Sequence, residues 1–262
     1  MRKFQSDLIE QGYCVVPNVI AKSQISRLRD LNLNLFDQSG LITLKPNDFL
    51  KNPEVSDILF SSEIVHAIST VVGEKFCIYP DFTIRKSLYI PWHTDTSYLS
   101  SSDTDSHEES DMVQMSIYLQ DNDLASGGGL EIIPGSHRYK NLNRKDLLTN
   151  EIDFGLAKLM PSMAGDLVFW DSRIIHRSSN QNKKSKVKLA IQWTISKTER
   201  FSAQYIQYLI DRVMSRQKHV SDKIGTREHD YLNGIKEVRF PESFSEQHRE
   251  KIKFFGLKVK TL

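Results

Sequence analysis

Near Lys75 the hydrophobic pattern changes period, and this change limits the fold more than any other feature of the sequence. Upstream, apolar residues recur every three or four positions, as on one face of a helix. Phe4, Leu8 and Ile9 form a stripe that stops at Gly12. Ile25, Leu28, Leu31 and Leu35 form a second, which Ser23 can cap. Between them Tyr13-Cys14-Val15-Val16 reads as a short strand ended by Pro17. Two more helices are expected over 53–60 and 62–72, with Ser61 at the junction and Gly73 closing the second. Downstream the pattern alternates, predicting strands at 75–80, 82–90, 92–96, 112–119, 129–133, 167–170, 173–177 and 187–196. Ser126-Gly127-Gly128-Gly129, Pro134-Gly135 and Ala164-Gly165-Asp166 punctuate them. Many short strands without intervening helices exclude βαβ units. They predict a mainly β fold with flanking helices, an antiparallel barrel or double-sheet jelly roll. Helix returns over Phe201–Gln217, with Tyr205, Leu209, Ile210 and Val213 on one side, and the last forty residues give no clear assignment. One domain is expected over 1–262: a helical preface at 1–74, a jelly-roll core at 75–196 and a C-terminal extension at 197–262.

Charge excludes several function classes. The 35 Lys and Arg nearly balance the 33 Asp and Glu, for a net charge of +2. That field is too weak to mark a nucleic-acid or polybasic membrane partner. No apolar run near the ~20 residues of a membrane span is evident. The opening Met1-Arg2-Lys3-Phe4-Gln5-Ser6-Asp7 lacks the layout of a signal peptide, so a cytoplasmic protein is expected. Cys14 and Cys77 lie in apolar stretches and read as buried free thiols.

Pro91-Trp92-His93-Thr94-Asp95-Thr96 carries the chemistry. In a strand, residues i and i+2 share a face, so His93 and Asp95 present an imidazole and a carboxylate side by side. With one more ligand they complete the two-His-one-carboxylate facial triad of non-haem Fe(II), which leaves coordination positions open. Alone, a His-x-Asp tripeptide serves equally as a hydrogen-bonded structural pair. The second half adds Gly165-Asp166, a strand, and a further strand reaching His176. Between them lies Gly127-Gly128-Gly129-Leu130-Glu131-Ile132-Ile133-Pro134-Gly135-Ser136-His137.

Together with the opening helix and Gly12-Tyr13, these motifs resemble the phytanoyl-CoA dioxygenase family of Fe(II)- and 2-oxoglutarate-dependent oxygenases. The likeness runs from Phe4 to about Ser196 and fades beyond about residue 200. It implies a double-stranded β-helix and assigns His93, Asp95 and His176 as iron ligands. An intact carboxylate at Asp95 favours hydroxylation or another plain oxidation, because halogenating relatives carry a small residue there. Fe(II), 2-oxoglutarate and O2 are the implied cofactors and co-substrates. The family also has an Arg about a dozen residues past the distal His that grips the far carboxylate of 2-oxoglutarate. This chain departs from that pattern. Counting on from Gln181-Asn182-Lys183 puts Lys188 at the Arg position, and Lys supplies a charge without the bidentate fork. Arg85, Arg177 and Lys186 are the alternative anchors, and Ser178 and Gln114 the candidate polar contacts to the co-substrate. Ser116 faces the same way as Gln114.

Alternation along 187–196 puts Val187, Leu189, Ile191, Trp193 and Ile195 on a face suited to packing on helices. Lys188, Ala190, Gln192 and Thr194 share the other, suited to a barrel lumen or to solvent. The polar loop 96–111 holds Asp103, Asp105, Glu108, Glu109 and Asp111 with no Lys or Arg, and reads as a lid favouring a neutral or cationic small molecule. Trp92 and Tyr98 flank the metal site and are candidate pocket residues. His66, His107 and His137 read as non-ligands. The expected reaction oxidises a C–H bond of a small organic molecule, such as an amino-acid derivative or natural-product intermediate, and releases succinate and CO2. Desaturation or cyclisation with the same ligands, and a non-catalytic jelly-roll binding protein, are the alternatives. Sequence leaves the oligomeric state open.

Overall fold

A computed structural model describes residues 2–39, 43–44, 46–87, 90–99, 111–123, 128–139, 154–179, 187–219, 240–241 and 243–261. Chain order gives α1 (Arg2–Gln11), β1 (Tyr13–Val16), α2 (Lys22–Ser39), β2 (Thr43–Leu44), α3 (Pro46–Leu50), α4 (Pro53–Ser56) and α5 (Ser62–Val72). The strands β3 (Cys77–Ile78), β4 (Thr83–Lys86), β5 (Met112–Tyr118), β6 (Leu130–Ile132), β7 (Lys158–Met160), β8 (Leu167–Asp171), β9 (His176–Ser178) and β10 (Leu189–Ser196) follow. The chain closes with α6 (Ser202–His219), α7 (Glu246–Phe254) and β11 (Lys258–Val259).

Two sheets face each other. The larger runs β1-β8-β5-β10, and the far edge of β10 pairs with β4 over one half and β3 over the other. The smaller is β7-β6-β9. All pairings are antiparallel except that of β11 with β3. This is the jelly roll expected from the alternating pattern. Alternation also explains how two cores form from one sheet. Leu189, Ile191, Trp193 and Ile195 of β10, with Val113, Met115 and Ile117 of β5, pack on helical residues such as Leu28, Phe36, Ile64 and Ile68. On the other face, Ala190, Tyr118, Val168 and Trp170 meet Leu130, Ile132 and Met160 of the smaller sheet.

Local signals set several boundaries. The Ser61 hydroxyl accepts the N–H of Ile64 to cap α5, and Gly73 ends that helix at a φ of 97°. Gly165-Asp166 forms a turn in which the Asp166 carboxylate accepts the N–H groups of Asn18 and Met163.

Elsewhere the sequence expectation needs correction. Residues 92–96 form no regular strand, only a single antiparallel bridge of His93 with His176. Of the expected strand 173–177, residues 173–175 belong to a turn, and β9 begins only at His176. Of the expected strands 75–80 and 82–90, the described residues form β3 and β4, which a bulge parts, and 88–89 lie outside them. Ile78 pairs with Ile195 and Thr83 with Gln192, so five steps on one strand face three on the other. β7, α7 and β11 gave no usable sequence signal; two of them are only two or three residues long. Contrary to the expectation of no spanning-length run, Pro53–Val72 is long and apolar enough to cross a membrane. It consists of α4, a 3-10 turn and α5, and its apolar side chains pack in the core against the larger sheet.

Candidate metal centre and active-site cavity

Main-chain hydrogen bonds bring the three expected ligands together. The His93 N–H donates to the His176 carbonyl (2.9 Å) and the His176 N–H to the His93 carbonyl (3.0 Å). The Asp95 N–H donates to the Ser172 carbonyl (2.7 Å), in the turn between β8 and β9. That turn is braced by Asp171, fully buried, whose carboxylate accepts the Arg173 backbone N–H and two guanidinium N–H groups. As a result Asp95 Oδ1 lies 3.6 Å from His93 Nε2 and Asp95 Oδ2 lies 3.4 Å from His176 Nε2. All three ligand atoms fall within 4.8 Å of one another.

The tautomers follow from the partners. His93 Nδ1 faces the Pro91 carbonyl (2.7 Å) and His176 Nδ1 the Ile174 carbonyl (3.0 Å). A carbonyl only accepts, so each Nδ1 carries the proton and each Nε2 turns a lone pair to the centre. Trp170 Nε1 donates to Asp95 Oδ2 (3.2 Å). Burial pushes the Asp95 carboxyl upward. His176, His93, the Trp170 N–H and Arg85 outweigh it, and the group ends below the usual carboxylate range. Burial and the adjacent His93 depress His176 to about 4 against the pull of Asp95, so it is neutral near pH 7. Two imidazole nitrogens and one carboxylate oxygen, oriented in this way, fit the facial donor set of non-haem iron.

The sequence profile of the phytanoyl-CoA dioxygenase family matches residues 37–187, more than half the chain and spanning all three ligands. The chain belongs to the phytanoyl-CoA dioxygenase family. Its members are Fe(II)- and 2-oxoglutarate-dependent oxygenases. Among solved structures, the non-heme alpha-ketoglutarate-dependent epimerase SnoN from nogalamycin biosynthesis aligns with a TM-score of 0.59 at 15% identity. The alignment covers 74% of this chain and 82% of that one. The carbocyclase SnoK from the same biosynthesis gives 0.59 at 20% identity, over 75% and 83%. EvdO2 from Micromonospora carbonacea var. aurantiaca, complexed with 2-oxoglutarate, gives 0.56 at 18%, over 75% and 91%. These similarities establish the fold. A search of curated protein sequences found no match.

Burial along the strands outlines the cavity beside this family's metal site. In β5 every residue is buried except Gln114, and in β10 every residue except Gln192. Both face the smaller sheet. Thr83 and Arg85 of β4 are likewise part-exposed, opposite Gln192 and Ala190. The registers arrange these residues in rows across the larger sheet. Trp170, Gln114 and Thr194 form the row at the metal ligands. Val168, Ser116, Gln192 and Thr83 form the next, and Tyr118, Ala190 and Arg85 the one beyond. Lys188, two residues before Ala190, continues the same face beyond that row.

Lys188 therefore lies on the lumen side, as one of the two sequence alternatives had it. Its Nζ donates to the Ser179 carbonyl (3.1 Å), and burial lowers its pKa to about 8 despite Glu131. Gly128 makes room for it: at a φ of 97°, a Cβ there would collide with Lys188 Cε. The Arg85 guanidinium has no hydrogen-bond or ion-pair partner among the described residues, and its charge reaches Asp95, His176 and Tyr118. Ser178 shares the face of His176, and its hydroxyl accepts the Ile90 N–H (3.1 Å). Gln114 sits in the metal row, its Oε1 2.9 Å from the Thr194 hydroxyl, away from the two cations.

Other candidates fall elsewhere. Arg177 pairs with Glu131 (2.6 Å) and stacks over Trp92 (4.6 Å), on the outer face of the smaller sheet. Trp92 stacks on Phe154 there, so it does not line the cavity. The Tyr98 hydroxyl bonds that of Ser172 (2.9 Å). His137 faces the Ile9 carbonyl (3.0 Å) and His66 is exposed, so neither joins the metal ligands. His107, Lys186, Gln181-Asn182-Lys183 and the acids at 103, 105, 108 and 109 lie outside the described residues, while Asp111 accepts from Thr198. Sequence reasoning missed Trp170, although its place in the alternation of β8 puts it on the lumen face.

Proposed function

We propose that this protein hydroxylates an unactivated C–H bond of a small organic molecule, with conversion of 2-oxoglutarate and O2 to succinate and CO2. The observation that carries this reading is the convergence of His93 Nε2, His176 Nε2 and an Asp95 carboxylate oxygen within 4.8 Å. Iron held there would supply activation of O2 coupled to oxidative decarboxylation of 2-oxoglutarate.

The chain's own residues do the rest. His93, Asp95 and His176 hold the metal, with both Nδ1 protons kept on carbonyls so that the Nε2 atoms stay free to ligate. Lys188 and Arg85 take the far carboxylate of 2-oxoglutarate. Two cations on one lumen face replace the single forked Arg of the family, and Arg85 restores the guanidinium geometry that Lys188 lacks. Ser178 keeps its hydroxyl proton for the same co-substrate. The apolar lumen around Val168, Ile132 and Met160 excludes water while one C–H bond is held at the metal. A neutral or cationic substrate, such as an amino-acid derivative or natural-product intermediate, suits the acidic 96–111 segment. A cytoplasmic location suits two free, buried cysteines.

Anaerobic titration with Fe(II) and 2-oxoglutarate tests the reading. A visible metal-to-ligand charge-transfer band is expected, and His93→Ala or His176→Ala should abolish it. Folded wild-type protein without the band would refute an oxygenase. Mass analysis of the product then separates hydroxylation (one added oxygen) from desaturation or cyclisation (loss of two hydrogens).

A further inference from the structure

The metal-end row of the cavity carries a carboxylate that the metal does not use. Asp81 sits in the bulge between β3 and β4. Its Oδ1 accepts the Thr194 N–H (3.1 Å), and its Oδ2 accepts the hydroxyls of Thr194 (2.6 Å) and Tyr205 (2.9 Å). Among the described residues no Lys, Arg or His pairs with it. Asp81 is part-exposed, while Tyr79, Phe82, Thr194 and Tyr205 around it are buried, so it is the member of this group that a ligand can reach. The Thr194 hydroxyl that it holds is also 2.9 Å from Gln114 Oε1. Gln114 stands directly across from Trp170, whose indole N–H holds Asp95. Asp81 thus adjoins, through Thr194, the row of the sheet that ends at Trp170 beside Asp95.

A structural role explains part of this. The bulge leaves the Thr194 N–H without a strand partner, and Asp81 accepts it. An Asn would do so equally well. A desolvated carboxylate without a cation is costly, and burial pushes this one above the ordinary range. Its donors, the Thr194 N–H and hydroxyl, the Tyr205 hydroxyl and its own backbone N–H, are all neutral, so among the described residues the charge has no cation beside it. A cation carried by the ligand would supply the counterpart that the described residues lack. Arg85 and Lys188, two rows and more away, make the opposite end positive, so the cavity has a charge axis with the metal nearer its negative end.

We propose that Asp81 selects the substrate by pairing with a protonated amine, which orients the neighbouring C–H bonds toward the metal. This rests on the oxygenase reading above and names the substrate class for that site.

The test uses protein loaded anaerobically with Fe(II) and 2-oxoglutarate. Three probes share one ring and differ in the head group: cyclohexylamine, cyclohexanol and cyclohexanecarboxylate. Equilibrium dialysis gives their dissociation constants, and the charge-transfer band reports cofactor loading. The amine should bind about tenfold more tightly than the alcohol, and the carboxylate most weakly. Asp81→Asn should reduce the amine to the affinity of the alcohol while the band is retained. Tyr205→Phe, which removes a donor and leaves the charge, should keep or strengthen the amine preference, and it tests the proposal even if Asp81→Asn does not fold. Equal binding of amine and alcohol by wild type, no measurable amine binding, or a preference that survives Asp81→Asn overturns the proposal. A missing band overturns the oxygenase reading as well; a normal band without amine preference overturns this inference alone.

Discussion

Trp170→Phe isolates one interaction at the metal centre. The indole N–H reaches Asp95 Oδ2 at 3.2 Å, and the ring is buried in the lumen core beside His176, with centroids 5.7 Å apart. Phe keeps most of that packing and deletes the donor. A hydrogen bond to a charged group contributes about 1.5–3 kcal/mol. At 3.2 Å this one is at the long end of the N–H···O range, and the Asp95 side chain is 29% exposed, so the lower figure applies. About 1.5 kcal/mol corresponds to roughly tenfold weaker metal binding. Anaerobic Fe(II) competition against a chromophoric chelator measures it, with His93→Ala as the variant that loses binding altogether. Metal affinity within twofold of wild type, in a variant with an unchanged thermal transition, would show that the indole N–H does not orient the carboxylate and would refute the reasoning.

Four further outcomes follow from the geometry. Asp171→Ala strips the part-buried Arg173 of its bidentate partner and should cost about 3 kcal/mol in urea unfolding, with weaker metal binding, because the same turn positions Asp95 and His176. If Lys188 holds the co-substrate, its charge is present below about pH 8 and lost above it, so the 2-oxoglutarate KM of wild type should climb between pH 8 and 9. In Lys188→Arg the same profile should stay flat; a flat wild-type profile would leave the role to Arg85. Gly128→Ala should displace Lys188 and raise the 2-oxoglutarate KM severalfold without changing iron content. Burial raises the Cys77 thiol to about 11 and Cys14 further, so neither should react with a thiol reagent at pH 8 until the protein is unfolded.

What the sequence disclosed and what it hid have separate physical origins. Features coded by adjacent residues were legible: β1 ended by Pro17, α5 between Ser61 and Gly73, and the opposite faces of β10. His93 and Asp95 were legible as a pair because their spacing of two keeps both side chains within reach of one centre, which they occupy without a regular strand. Features set by register between distant segments were not. The bulge that presents Asp81 exists only in the pairing of β3 and β4 with β10, more than a hundred residues later. Proximity to His93 suggested a pocket role for Trp92, yet alternation turns it to the opposite face, where Arg177 and Phe154 enclose it. Lys188 was found by counting on from Gln181-Asn182-Lys183, but only the partners of its side chain, just ahead of β10, distinguish a lumen residue from a surface one.

Gln114 and Gln192 are each the single residue of their strand that is not buried, and the neighbours of both, Val113, Met115, Ile191 and Trp193, point into the helix-packed core. A substitution at either position changes what the cavity can recognise without disturbing core packing. The candidate metal ligands are clipped by main-chain bonds at the edge of the other sheet, and among the described residues no hydrogen bond joins them to either side chain. Selectivity and oxidising chemistry therefore occupy separate walls of one barrel. A lineage built in this way can acquire a new substrate by single replacements while its iron site stays fixed.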